Sequence, residues 1–286
     1  MRVMQMQEAA TTSRVNAAKA GAAVLPRKVT EGGAAYFEAG AGEDLILIHG
    51  VGMRLEAWKP QIEIFSKTHR VIAVDMPGHG GSERLPAGSS LKDFVGWFGR
   101  FLDDMRIARA NVAGHSMGAL ISGGAAATFG DRIARVGYLN GVYRRDPAAK
   151  AAVLARAAAI RTTGVDKEGP LLRWFGDDPK SQQARELTRG WLEMVDPEGY
   201  AVAYTAFADG DETYADRWPS VICPALFLTG SDDPNSTPLM AEQMAAITPR
   251  GYARVVEAHR HMVNLTAPET VNAMMAEWLA LEEEPQ

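Results

Sequence analysis

Short apolar runs that end in glycine or aspartate recur along this chain and alternate with amphipathic stretches. They read "LILIHG" from Leu45, "RVIAVDMPGHG" from Arg70, "ANVAGHS" from Ala110, "RVGYLNG" from Arg135, "PALFLTG" from Pro224 and "RVVEAH" from Arg254. Runs this short, cut off by turn-forming residues, are strands buried on both faces, and the stretches between them supply the covering helices. "SSLKDFVGWFGRFLDDMRI" shows such a helix: Leu91, Phe94, Val95, Phe98, Leu102 and Met105 recur at helical spacing behind a serine suited to N-capping. The expected class is therefore α/β, with a mostly parallel central sheet and helices on both faces. At 286 residues and 47% hydrophobic content, the chain can bury the core this demands.

The alternation breaks between about Tyr143 and Pro219, where Ala- and Arg-rich helical segments and Trp174, Trp191 and Trp218 replace any strand pattern. A helical cap at 143–218, inserted into a single sheet domain formed by 25–142 and 219–286, is the expected organisation. Residues 1–24 are expected to be a loose extension without the apolar core of a signal peptide, and the acidic "LEEEPQ" a solvated end. No run approaches the length of a membrane span, and a net charge of −5 provides no electrostatic footprint for nucleic acid or anionic lipid. Neither a nucleic-acid nor a membrane partner is expected. The lone Cys223 excludes an internal disulfide and fits a buried small hydrophobe, so cytoplasmic residence is expected.

"AGHSMGA" at 113–119 places Ser116 between glycines. Small residues also occur wherever a helix packs closely on a strand, so the spacing acquires meaning from its setting: "ANVA" reads as a strand and "ALISGGAAATFG" as a helix. A tight turn between the two lifts a serine hydroxyl above the sheet, with a helix N-terminus behind it. A serine needs a base, usually an imidazole oriented by a carboxylate. His259 and His261 follow the last strand, and Asp232 and Asp233 follow the one before it, in "LFLTGSDDPNSTP". "IHGVGM" offers the backbone N–H of Val51 as an oxyanion donor beside that of Met117. "DMPGHGGS" lacks the Gly-Lys-Ser/Thr ending of a phosphate loop.

With these residues in place the chain resembles the α/β-hydrolase superfamily from roughly Val24 to Leu281, through "LILIHGVG", "VIAVDMPGHGGS", "GHSMGA", "LTGSDDP" and "HMVNLTAPETVN". The cap phrases "LLRWF" and "DPEGYAVAYTAFADGD" resemble more narrowly the 3-oxoadipate enol-lactonase group. The resemblance implies a serine hydrolase that cleaves a small carboxylic ester or lactone through an acyl-enzyme. Ser116 is then the nucleophile, His261 rather than His259 the base, and Asp233 rather than Asp232 its partner. Asn140 occupies an alternative acid position and cannot carry the charge. The chemistry implies a small-molecule substrate and no metal or organic cofactor. Arg173 and Trp174, within the lactonase-like phrase, and Arg144, among the arginines of the cap, are the expected substrate-binding residues. A C–C bond hydrolase of the meta-cleavage type, a cofactor-free perhydrolase and a ligand-binding receptor on the same fold are the competing readings.

Overall fold

The structure, a computed structural model, describes residues 24–282. The expected loose extension therefore lies outside the described residues except for Val24, and the acidic tail except for Leu281 and Glu282. Eight strands form one sheet: β1 (Lys28–Val29), β2 (Ala35–Ala39), β3 (Asp44–Ile48), β4 (Arg70–Val74), β5 (Ala110–His115), β6 (Ile133–Leu139), β7 (Ala225–Gly230) and β8 (Gly251–Val256). Their spatial order is β1-β2-β4-β3-β5-β6-β7-β8. From β4 to the β8 edge every pairing is parallel, whereas β2 runs antiparallel to both β1 and β4.

Successive side chains of a strand point to opposite faces, so an uninterrupted apolar run supplies two cores at once. Leu45, Leu47, Val71, Ala73, Leu226 and Leu228 face one layer, built on Trp58, Phe65, Met275 and Trp278. Ile46, Ile48, Ile72, Val74, Val112 and Phe227 face the other, with Phe94, Phe98 and Phe101 of the helix Leu91–Asp104. Each large side chain fully buried this way contributes about 1.5–3 kcal/mol. Ser90 opens that helix as the apolar periodicity predicts: its N–H donates to Asp93 Oδ2 at 2.8 Å, closing a capping box.

Between β6 and β7 the described residues form helices and no strand. Three of the helices begin alike, Pro147–Thr163 behind Asp146, Pro179–Glu193 behind Asp178, and Pro197–Asp209 behind Asp196, with Glu168–Trp174 between the first two. In each Asp-Pro start the carboxylate accepts from N–H groups that the helix cannot satisfy, and proline occupies the first turn, where a missing N–H costs nothing.

Candidate active site

In an open parallel sheet, ligands bind outside the carboxyl ends of the strands. Here the loops leaving β3, β5, β6, β7 and β8 all meet along that edge. β5 runs directly into the helix Met117–Phe129, and Ser116 between them has φ +56°, ψ −116°, a left-handed conformation that a residue with a Cβ adopts only when its surroundings impose it. The flanking glycines make the imposition possible. A Cβ on Gly114 would lie 1.9 Å from the Gly118 carbonyl oxygen, and one on Gly118 would lie 2.1 Å from that of Ile48. The glycine spacing of 113–119 thus reports backbone–backbone contact between strand, turn and helix.

His261 follows β8, and its Nδ1 lies 2.8 Å from Asp233 Oδ2. Because the carboxylate accepts, Nδ1 carries a proton and Nε2 is the nitrogen turned away from Asp233. Asp233 is 3% exposed. Burial alone would push its carboxyl up, yet the facing His261 charge and hydrogen bond, the Asn140 amide at 2.9 Å and the Asn235 N–H at 2.8 Å together hold it below the ordinary carboxylate range. Asn140, at the alternative acid position, therefore donates to the Asp233 carboxylate. Asp232 accepts from its neighbour Ser231, and His259 contacts Thr266 Oγ1 at 2.9 Å, so neither joins this group.

Ser116, His261 and Val51 line one cavity of about 260 Å³. Among the described residues the N–H groups of Val51 and Met117 have no hydrogen-bond acceptor, the second because it opens a helix. Two neutral imidazoles hold the loop that carries Val51. His79 Nε2 accepts the Gly52 N–H at 2.9 Å while its Nδ1–H donates to Pro77, and His49 Nε2 accepts the Met76 N–H at 3.0 Å while its Nδ1–H donates to Gly50. Burial pushes His79 down to about 3, with repulsion from His49 adding to it. On the far side, His115 Nε2–H donates to the His261 carbonyl at 2.7 Å, tying the Ser116 turn to the loop that carries His261.

The helices between β6 and β7 roof the cavity with Arg145, Arg156, Arg173, Trp174, Tyr200, Tyr204 and Phe207. The Trp174 ring lies 5.6 Å from that of His261, tilted by 33°. Arg173 and Trp174, expected as substrate-binding residues, line the cavity, whereas Arg144 does not. It turns outward to pair with Asp216 and lies outside the cavity wall, and Arg145 points inward in its stead. Arg144 itself has φ +42°, and the two side chains find separate partners, Asp216 for Arg144 and Asp211 for Arg145. The framing roles of His79 and His115 were also missed. Their tell was adjacency to the glycine turns, a signal that does not separate a structural imidazole from a spare one.

A family model described as the alpha/beta hydrolase family matches residues 45–274. The chain belongs to the alpha/beta hydrolase family. It is 53% identical over 244 residues to "(E)-2-((N-methylformamido)methylene)succinate hydrolase" of Acinetobacter baylyi, covering 85% of this chain and 93% of that protein. Among solved structures, the enol-lactonase of Burkholderia xenovorans superposes with a TM-score of 0.80 at 28% identity, over 90% of this chain and 100% of that one. A thermophilic esterase of Thermogutta terrifontis does so at 0.80 and 25%, over 90% and 98%. The α/β-hydrolase fold expected from the sequence is the fold observed, and the protein is a hydrolase. An enol-lactonase is a structural neighbour, at about half the identity of the Acinetobacter hydrolase. Among the described residues no helix is long and apolar enough to cross a membrane, and no cluster of three or more His, Cys, Asp or Glu is placed to hold a metal ion.

Proposed function

We propose that this hydrolase cleaves a small carbonyl compound derived from succinate, of the kind named for the Acinetobacter hydrolase, through an acyl-enzyme on Ser116. The observation that carries the reading is the placement of Ser116 and the Asp233-bound His261 on one buried cavity wall. Ser116 Oγ attacks the carbonyl carbon as His261 Nε2 takes its proton, and Asp233 stabilises the imidazolium. The oxyanion is held by the N–H groups of Val51 and Met117. Collapse breaks the bond to the leaving nitrogen or oxygen, which receives the proton from His261. Water, deprotonated by the same imidazole, then releases the acid and frees Ser116.

The compound named for the relative has an N-formyl amide as its hydrolysable carbonyl group. Attack there makes a formyl ester of Ser116 and expels a nitrogen conjugated through the adjacent C=C to a carboxylate, which spreads its developing charge. A formyl group is also the smallest acyl group, in keeping with a nucleophile only 8% exposed. In this reading the helices between Pro147 and Asp209 act as the cap that selects the substrate, within the 143–218 insertion. The same apparatus accepts an activated ester, so two assays test it. Formate release from the formamidomethylene-succinate and hydrolysis of p-nitrophenyl formate are both expected to fall at least about a thousandfold in Ser116→Ala. Turnover of both compounds at the wild-type rate by that variant removes Ser116 from the reaction.

A further inference from the structure

We propose that Arg156 and Arg173 form a two-point receptor for the carboxylates of a dicarboxylate substrate, each guanidinium taking one end. The inference rests on the cavity being the substrate site, as proposed above, and names the groups that would select its ligand.

The cavity wall contains three arginines and no aspartate or glutamate, in a chain whose net charge is −5. That contrast places positive potential where a small ligand enters, against the sign of the whole molecule. The arginines are not equivalent. Asp211 already engages Arg145 at 3.1 Å, and the Arg145 guanidinium lies over the Phe207 ring at 4.5 Å. Lys150 shares the same carboxylate, so even this group keeps a net positive charge. Elsewhere between β6 and β7, Arg144 pairs with Asp216, Arg185 with Asp177, and Arg189 with Glu168.

Arg156 and Arg173 are different. Both line the cavity, and among the described residues neither pairs with a carboxylate. Arg156 Nε donates to the Tyr204 hydroxyl at 3.1 Å, which fixes the plane of its fork and leaves both terminal nitrogens available. Tyr204 is itself held by stacking on Tyr200, with ring centroids 5.7 Å apart and planes within 16°. The Arg173 guanidinium makes no hydrogen bond or ion pair with any described residue, and the nearby Asp166 carboxylate stays out of pairing distance. A guanidinium turned into a partly enclosed space without a paired carboxylate keeps its fork open, and a planar fork matches a carboxylate in two parallel hydrogen bonds. The two reside on different helices, Pro147–Thr163 and Glu168–Trp174, so they can grip separate ends of one molecule while its carbonyl faces Ser116. At about 260 Å³ the cavity falls just below the usual ligand-pocket range of about 300–1,000 Å³, which suits a short diacid rather than a long one.

Succinate itself is the probe, since its binding can be read by titration calorimetry without turnover, whether or not Ser116 is the nucleophile. Wild-type protein is expected to bind succinate at least tenfold more tightly than monomethyl succinate or inorganic phosphate. Arg156→Gln and Arg173→Gln are each expected to weaken succinate about 10- to 100-fold, the range for a lost charged hydrogen bond. Arg156→Lys and Arg173→Lys, which keep the charge but not the fork, are expected to fall between. Arg144→Gln, one residue from the cavity wall, is expected to bind as wild type. Equal affinity for succinate and its monoester, tighter binding of phosphate, or undiminished succinate binding in either Gln variant overturns the receptor.

Discussion

Ser116 occupies a backbone conformation that serine does not choose, and the energy for it comes from neighbours that leave no alternative: two glycines in backbone contact, a strand ending and a helix beginning. The same logic governs the donor loop opposite. Gly52, next to the proposed oxyanion donor Val51, gives its N–H to His79 Nε2, and only a neutral imidazole has a lone pair to receive it. Burial keeps His79 neutral, so the depressed basicity is a condition of the contact. His79 is in this sense a positioning residue, acting through the loop and touching no reacting atom. His79→Ala is expected to lower kcat by about 10- to 100-fold with little change in KM, because a displaced oxyanion donor is missed only in the transition state. Steady-state kinetics on p-nitrophenyl formate read the split. A rise in KM with kcat preserved would mean that the loop serves ground-state binding instead.

At the scale of elements, a buried ionic knot joins the start of the helical stretch between β6 and β7 to its end. Asp211 is 5% exposed, receives Arg145 and Lys150, and also accepts the Arg145 N–H at 2.8 Å, so it pins the chain as it leaves β6 to the end of the helix Pro197–Asp209. Removing one partner of a buried pair leaves the other charge uncompensated, and Asp211→Ala is expected to destabilise the protein by about 3–5 kcal/mol, measured by urea unfolding. A loss under 1 kcal/mol would show that Arg145 finds water. Nothing in the sequence announced this knot, since one arginine among the eight of 143–218 looks like any other until the fold chooses its neighbours. The sheet strands, by contrast, were readable because burial on both faces demands unbroken apolar runs. β1 and β2 escaped notice for the converse reason: β2 reads "AYFEA", is only partly buried along most of its length, and carries no such run. The turns carrying Ser116, Asp233 and His261 were legible as local turn chemistry, whereas which of Arg144 and Arg145 lines the cavity is invisible to spacing.

Taken as a whole, the molecule depends on imidazoles that must not be charged. His49, His79 and His115 are each at most 3% exposed, and burial depresses all three, His79 and His115 to about 3. In the unfolded chain a histidine titrates near about 6.5, so below that pH the unfolded state takes up protons that the folded state refuses. The stability tied to these groups is fully present above about pH 6.5 and is lost as pH falls toward about 3. Each contributes a slope of up to about 1.4 kcal/mol per pH unit once the unfolded form is protonated. The buried carboxylates Asp75 and Asp233 are held below their ordinary range and add a similar loss only at lower pH, because an unfolded aspartate begins to protonate near about 4. The interval between about pH 6.5 and 4.5 is therefore dominated by the histidines, with Glu38 and Glu56, also held below the ordinary range, joining only near its lower end. Urea unfolding across that interval is expected to show a steadily falling free energy, and His115→Gln to flatten the slope whatever its effect on stability at neutral pH. A wild-type profile level from pH 6.5 to 4.5 would mean that the three rings accept protons in the folded state, and that the hydrogen bonds holding the Val51 loop do not require them neutral.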